Sequence, residues 1–227
     1  VVVLNVIEQN DLVKLDSAVV SNGKFNMSGS IDTCYLALIT FELDEQIHAC
    51  TFFLEDGSIS LEYDIVDGIQ TIGGTVNNDA FQTFYKDIEV LNDKANEIED
   101  KMRMTAAAGE DYSSFADEMS ILQDNYRDIV LKSIVQNSGN MFGFQQLLDS
   151  YTIFEPGEVL GFLDMFEPSF GATENFGQLK NMMQVQAMTA VGQPFIDFEL
   201  PILNKRFETS QNAKLSDYIG SNKVILL

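Results

Sequence analysis

Histidine, cysteine and tryptophan are almost missing from this sequence, and their scarcity excludes most of the catalytic sites that a sequence can reveal. The 227 residues contain one histidine, two cysteines and no tryptophan. There is no G-x-S-x-G elbow of a serine hydrolase. Acidic residues are plentiful, but none has the D-x-D-x-D-G spacing of a calcium loop. We therefore assign no catalytic, cofactor-binding or metal-ligating residue from the sequence.

Basic residues and long apolar runs are scarce as well, and this excludes several partners. Lys and Arg number 13 against 35 Asp and Glu, so the net charge is −22. Binding to nucleic acid or to an anionic membrane surface needs clustered basic residues that neutralise phosphates. A membrane span needs roughly 18 to 20 apolar residues in a row, and no segment approaches that length. We predict no nucleic acid partner and no membrane span, and we interpret the acidity as a solvated surface.

The two cysteines, Cys34 and Cys50, have fifteen residues between them, which matches neither C-x-x-C nor a zinc spacing. A hairpin that turns near Asp44-Glu45 would place Cys34 opposite a residue near Asp56. The same hairpin would place Cys50 opposite one near Thr40. Since they would not be cross-strand partners, we favour two buried thiols over a structural disulfide.

His48 lies two positions before Cys50, on the same face of a predicted strand. In principle a histidine there can form a thiolate pair. A strand-end histidine that is at the surface or satisfied by local contacts explains the same pattern, and we favour it.

The glycine run Gly68–Thr75 has the look of a phosphate-binding loop. It lacks the Lys-Ser/Thr pair that such a loop needs to reach phosphate and magnesium. We predict a turn into the first helix instead.

The fold class predicted from the pattern is α+β. With 45% hydrophobic residues the chain can bury a sizeable core. Residues 1–76 show short strands, separated by turn pairs such as Asn22-Gly23, Asp44-Glu45 and Asp67-Gly68, which indicate an antiparallel β-sandwich or open barrel. In the Lys24–Ser30 run, Phe25 and Met27 should face the core. The predicted strands are Val1–Glu8, Leu12–Val20, Lys24–Ser30, Tyr35–Phe41, Ala49–Leu54, Ser58–Ile65 and Gln70–Val76.

A long antiparallel helical hairpin is predicted next, because the apolar period changes to steps of three and four. Asn77 and Asn78 are the predicted N-caps. Thr105–Glu110 connects the two helices, which should pack on each other and on the sheet. A homodimer or partner-helix surface is the alternative. The first stripe is Phe81, Phe84, Tyr85, Ile88, Leu91, Ala95, Ile98 and Met102; the second is Phe115, Met119, Leu122, Tyr126, Ile129 and either Leu131 or Ser133, ending near Gly139.

Three shorter helices should follow, at Phe142–Tyr151, Pro156–Met165 and about Glu174–Ala190. Pro156 suits a first helical turn, and we place Pro168 and Gly171 in the gap between the last two helices. The segments that join these three helices are rich in phenylalanine. Aromatics at this spacing are more often core than ligand site, so we name no ligand for them.

The C-terminal stretch 191–227 carries an ordered set of motifs: Gly192-Gln193-Pro194, Asp197-Phe198, Leu200, Leu215-Ser216-Asp217-Tyr218, Gly220 and a closing strand at Lys223–Leu227. It resembles the entry to the thioredoxin-like domain of envelope thiol–disulfide oxidoreductases of the alkyl hydroperoxide reductase and thiol-specific antioxidant group. In that family a hairpin leads to L-S-D-Y-x-G-K, a buried strand and the redox motif W-C-x-x-C. Here the sequence stops at Leu227, before any such motif.

Three positions depart from that pattern. Phe195-Ile196 stand where a small residue and a proline are usual, and two extra residues separate Gly220 from Lys223. Asn204-Lys205 stand where the hairpin usually has Asn-Gly, and Asn204 can still adopt the left-handed conformation that a tight turn needs.

A second resemblance lies in the β region. Its motifs are Asp16-Ser17-Ala18, Gly23-Lys24-Phe25, Gly29, Phe53–Gly57, Gly73-Gly74-Thr75 and Asn77-Asn78. In this order they resemble an uncharacterised β domain that precedes thioredoxin-like domains in Gram-negative envelope proteins.

The resemblances imply a division into a β domain (1–76), a helical segment (77–190) and the start of a thioredoxin-like domain (191–227). They imply thiol–disulfide exchange for the complete protein, with a protein thiol or disulfide as the partner, in the periplasm or cell envelope. Residues 1–190 would position or select that partner, and the 227 residues alone would be inactive. Both ends look cut relative to the gene product, so a leader with a lipid anchor is compatible with this location.

The competing hypothesis is a non-enzymatic binding or adaptor module. In this case the sheet edge or a helical groove holds a peptide, a glycan or a partner protein. It is motivated by the shortage of catalytic groups within the sequence.

Overall fold

A computed structural model describes residues 1–8, 11–111, 113–203 and 209–218. These described residues form eight β-strands and five α-helices, so the α+β class is confirmed. The strands are β1 (Val2–Glu8), β2 (Asp11–Ala18), β3 (Tyr35–Leu43), β4 (Gln46–Leu54), β5 (Ser60–Tyr63), β6 (Gln70–Gly73), β7 (Glu199–Leu203) and β8 (Thr209–Lys214). The helices are α1 (Val76–Ala107), α2 (Ser114–Gln136), α3 (Met141–Ser150), α4 (Pro156–Phe170) and α5 (Glu174–Met188).

The first four strands form an antiparallel sheet in the order β2-β1-β3-β4. One face of this sheet is buried, because alternate residues of β1, β3 and β4 point to the same side. The two-stranded sheet β5-β6 packs against that face through Ile72 and Leu61. Among the described residues the strands do not close into a barrel, so the sandwich is an open one. The buried residues of the face are Val2, Leu4, Val6, Ala37, Ile39, Cys50 and Phe52.

The predicted turn pairs are confirmed by positive φ angles. Asp44 and Glu45 join β3 to β4 with φ of 50° and 63°. Asn22 and Gly23, with φ of 51° and 73°, close a two-residue turn across an isolated bridge from Ser21 to Lys24. Asparagine, aspartate and glycine reach this region at lower cost than other residues, so the sequence pairs locate turns reliably.

The strand predicted at Lys24–Ser30 is wrong. Beyond the bridge at Lys24, these residues have no strand partner. The alternation within the run is nevertheless real, because Phe25 and Met27 pack against the core of the sheet. Alternation indicates which side chains face inward, but a strand also needs a neighbouring backbone to pair with. The predicted strands Leu12–Val20, Ser58–Ile65 and Gln70–Val76 also end earlier in the structure.

The long helical hairpin is confirmed, with α1 packed against α2 and its first turns against the sheet. Thr75 is the N-cap of α1, so the prediction that Asn77 and Asn78 are the caps is wrong. α1 continues to Ala107, beyond the connection predicted from Thr105. On α2 Ser133 is buried, but the main core residues are Val130 and Ile134, which the predicted stripe omitted.

The shorter helices enclose a core that is rich in phenylalanine, as predicted. Pro168 lies inside α4, so its placement in a gap after Met165 is wrong. The last turn of α4 carries Phe166, which is fully buried, and Phe170, whose ring stacks on Phe144 at 4.6 Å. A proline near a helix end removes only one backbone bond, and these aromatic contacts offset that loss.

The hairpin predicted at the C-terminus is present as β7 and β8, and a 3₁₀ turn at Leu215–Asp217 follows it. The turn at Asn204-Lys205 and the strand at Lys223–Leu227 lie outside the described residues. Among the described helices, none is both long and apolar enough to cross a membrane.

Candidate functional site

The thiols of Cys34 and Cys50 are not cross-strand partners, and both are poorly suited to redox chemistry. Cys50 is fully buried in β4 opposite Ile39, and Cys34 is half-buried just before β3; both are free. Burial raises the pKa of Cys50 to about 11. Burial, together with the nearby charge of Glu55, raises the pKa of Cys34 to about 12. Since the thiolate is the reactive form, these raised pKa values disfavour attack on a disulfide near neutral pH.

His48 is satisfied by local contacts, as favoured from the sequence. Its Nδ1 lies 3.1 Å from the hydroxyl of Tyr63, and its ring stacks on Phe41 with the centroids 5.2 Å apart. These contacts occupy the imidazole on the buried side of the sheet. A His48–Cys50 thiolate pair therefore has no support from the geometry.

A cluster of polar side chains joins the sheet to the helices, and we call it the asparagine junction. It comprises Glu55, Thr75, Asn77 and Asn78 with the backbones of Phe53 and Phe142. Both asparagines lie in the first turn of α1 and are buried. The sequence marked these asparagines as caps of their own helix, whereas their side chains bind other elements.

Asn77 connects three segments of the chain. Its backbone N–H and its Nδ2 donate to the two carboxylate oxygens of Glu55, at 2.9 and 2.6 Å. Its Oδ1 accepts from the backbone N–H of Phe142 at 2.7 Å, and its Nδ2 lies 3.7 Å from the sulfur of Cys34. The Glu55 carboxylate thus accepts from the Asn77 N–H at the positive end of α1, while the Thr75 hydroxyl makes no cap bond and accepts from the Asn78 amide instead.

Asn78 and Gln70 together close one edge of the sheet. The Asn78 amide exchanges two hydrogen bonds with the backbone of Phe53, at 2.8 and 2.7 Å. The Gln70 amide does the same with the backbone of Thr51, at 3.1 and 2.9 Å. Because a side-chain amide has the same donor and acceptor as a peptide, these two residues replace a neighbouring strand along β4.

A second set of contacts explains the motif in the C-terminal hairpin. The carboxylate of Asp197 accepts from the backbone N–H of Ser216 at 2.9 Å. The backbone N–H of Leu215 donates to the carbonyl of Phe198 at 3.0 Å. The Asp-Phe and Leu-Ser-Asp segments, which are far apart in sequence, therefore hold each other across the ends of β7 and β8.

Acidification is expected to break the contact between Asp197 and Ser216. The pKa of Asp197 lies below its usual 3.8. The largest cause is the hydrogen bond from the backbone N–H of Ser216, and the hydrogen bond with the Ser216 side chain and the charge of Lys214 lower the pKa further. A depressed folded-state pKa means that this stabilisation is complete above the unfolded value and is lost as the pH falls through the folded one. The Ser216 amide signal, followed by NMR from about pH 7 to about pH 2, should therefore titrate with a midpoint below 3.8.

Asp197→Asn is the control for this titration, since it keeps the shape of the side chain and removes its charge. The Ser216 amide should then be insensitive to pH. A Ser216 midpoint at or above 3.8 in the unmodified chain would contradict the assigned hydrogen bond.

Comparison with known proteins gives one match. The family model of a domain of unknown function, DUF4369, matches residues 1–81. No curated protein and no solved structure matches the chain. The matched range contains the whole β region (1–76) and all of the asparagine junction except Phe142. The description of this family assigns no activity.

Several motifs that the sequence marked separately meet in space at the junction. Phe53 and Glu55 belong to one glycine-ended motif, and Thr75, Asn77 and Asn78 belong to two others. The described residues contain no group of three or more His, Cys, Asp or Glu side chains that could hold a metal ion. The hydrogen bonds of the junction fix the sheet on the helices.

Proposed function

We propose that residues 1–190 are the partner-positioning part of a cell-envelope thiol–disulfide oxidoreductase, and that the redox dithiol is supplied by residues outside this sequence. The observation that carries the proposal is the contact between the Asp197-Phe198 and Leu215-Ser216-Asp217 segments. These segments carry the resemblance to a thioredoxin-like entry hairpin. Their mutual hydrogen bonds give the pattern a physical reason, namely that each segment satisfies the backbone of the other.

The pKa values of Cys34 and Cys50 are consistent with a redox dithiol that lies elsewhere in the protein. In thiol–disulfide exchange, a cysteine with a depressed pKa attacks a partner disulfide, forming a mixed disulfide and releasing one thiolate; a second cysteine then resolves it. Cys34 and Cys50 have raised pKa values instead. In this proposal the exchange takes place at the downstream dithiol, while the β and helical parts hold the partner protein.

The test compares the 227-residue chain with the full gene product in disulfide reduction. The 227-residue chain should show no turnover. In the full product, serine in place of the second cysteine of a downstream C-x-x-C should trap the partner as a mixed disulfide. Cys34→Ala and Cys50→Ala should leave the trapping unchanged. Turnover by the short chain that survives both substitutions would contradict the proposal, as would a gene that encodes no downstream dithiol.

An adaptor module is the second candidate, and the other edge of the sheet favours it. β2 pairs with β1 on one side only, and residues 11–17 are exposed. Leu12 and Leu15 are 59% and 48% exposed along this strand. An extended peptide could add to such an edge through its backbone. Tight binding of a partner by a protein whose gene lacks the dithiol would favour this candidate.

A homodimer through α1 and α2 stays a prediction. Sedimentation of a dilute sample tests it, and a monomer at all concentrations would remove it.

A further inference from the structure

A small cavity lies between α1 and α2, near the asparagine junction. Its volume is about 180 Å³. The lining residues recur at helical spacing on both helices, so the cavity runs along their facing surfaces. Phe84 and Ile129 supply an apolar wall, and Asp87, Lys132, Ser133 and Gln136 supply the polar groups.

The cavity is also lined by a buried serine, Ser133. The residue is 7% exposed, and its hydroxyl has no hydrogen-bond partner among the described residues. No other buried side-chain nitrogen or oxygen in the described part of the chain is left without a partner. Buried polar atoms are nearly always paired, so a group that binds in the cavity would satisfy this hydroxyl.

Charged side chains that are exposed to solvent also line the cavity. Asp87 and Lys132 come from opposite helices, yet neither forms an ion pair with any residue that the structure describes. Within the same part of the chain, the Gln136 amide makes no hydrogen bond either. One cavity therefore offers an anion, a cation, an amide and a hydroxyl together with an apolar wall.

We propose that this cavity binds a small zwitterion of the α-amino acid class. The ligand's ammonium group lies towards Asp87 and its carboxylate towards Lys132, while Ser133 and Gln136 hydrogen-bond to the carboxylate. A short side chain packs on Phe84 and Ile129. The volume is below the range of about 300 to 1,000 Å³ of drug-sized sites, which favours a small ligand. This binding is independent of the redox proposal.

The experiment titrates the 227-residue chain with L-alanine and follows binding by calorimetry and by NMR shifts of Ser133 and its neighbours. L-Lactate and ethylamine are the matched ligands, since each lacks one of the two charges. L-Alanine should bind saturably, and the two controls should bind at least about tenfold more weakly. Lys132→Met and Asp87→Asn should each weaken binding by about tenfold, and Ser133→Ala by roughly threefold to tenfold.

Lys101→Met is the control variant, because Lys101 lies on α1 and does not line the cavity. It should bind L-alanine as the unmodified chain does. Thermal unfolding of each variant establishes that it is folded before its affinity is compared. The absence of saturable binding up to roughly 50 mM would overturn the proposal. It would also be overturned by equal binding of the three ligands or by variants that all retain full affinity, since the charged and polar groups of the cavity would then not recognise the ligand.

Discussion

Asn78→Ala is expected to lower the free energy of unfolding by about 3 to 4 kcal/mol, because it leaves two buried backbone groups unsatisfied. The Asn78 side chain is fully buried and makes three hydrogen bonds, two of them to the backbone of Phe53 and one to the Thr75 hydroxyl at 2.8 Å. Alanine leaves the Phe53 N–H and C=O without these partners, and Phe53 itself is buried, with its ring packed against Phe81 and Phe142. A chain of this length should lose about 10 °C in midpoint temperature.

Asn96→Ala is the matched control, since Asn96 is exposed in the middle of the same helix. Alanine has the higher helix propensity, so this change should leave stability within about 0.5 kcal/mol or raise it slightly. Urea unfolding of the two variants, with the slope compared as well as the midpoint, separates the two effects. Equal losses in both variants would mean that the Asn78 amide does not hold β4 onto α1.

Local rules were sufficient for most of the fold. Asn22-Gly23, Gly68 and Asp44 mark turns because asparagine, aspartate and glycine adopt left-handed backbone at lower cost than other residues, and that property does not depend on the rest of the chain. The stripe from Phe81 to Met102 likewise predicts α1, since a helix longer than four turns repeats its period often enough to be unambiguous.

The errors occurred where a tertiary contact outweighed a local preference. Lys24–Ser30 has strand-like alternation, but whether a neighbouring backbone is available cannot be known from the segment itself. Pro168 is a helix breaker by propensity, and α4 continues through it because Phe170 reaches the ring of Phe144. Propensity differences of about 3 kcal/mol or less are comparable with the burial of one aromatic side chain, so either can decide the outcome.

Some residues of the asparagine junction could be singled out from the sequence, but the contacts between them could not be predicted. The sequence flagged Phe53–Gly57, Gly73-Gly74-Thr75 and Asn77-Asn78 as separate motifs. It could not show that Glu55 binds Asn77, or that Asn77 also binds the backbone of Phe142, 65 positions further along. An asparagine near a helix start suits both a local cap and a distant backbone group, and only the packing of the sheet on α1 selects between them.

Gly74→Ala is expected to destabilise the protein by about 3 kcal/mol or more, because the position permits neither the conformation nor the volume of a side chain. Gly74 links β6 to α1 with a φ of +95°. A Cβ there would lie 2.2 Å from the carbonyl oxygen of Ser58, which is backbone and cannot rotate away. Relief of this clash requires β6 to move away from the segment that leads into β5. The same movement would pull the Gly74 N–H from the carboxylate of Asp79, where it donates at 2.9 Å.

Gly161→Ala separates this effect from that of adding a methyl group in general. Gly161 lies in the interior of α4, and a Cβ there would meet no atom within 4 Å. Alanine should therefore stabilise α4 by about 0.5 to 1 kcal/mol, so the two glycine substitutions should differ in sign when their unfolding curves are compared. If Gly74→Ala were neutral, the link from β6 to α1 would have room to move, and the junction could not fix the sheet on the helices. A large loss at Gly74 with a gain at Gly161 would instead assign the loss to the strained link between β6 and α1, since the added methyl group is the same in both variants.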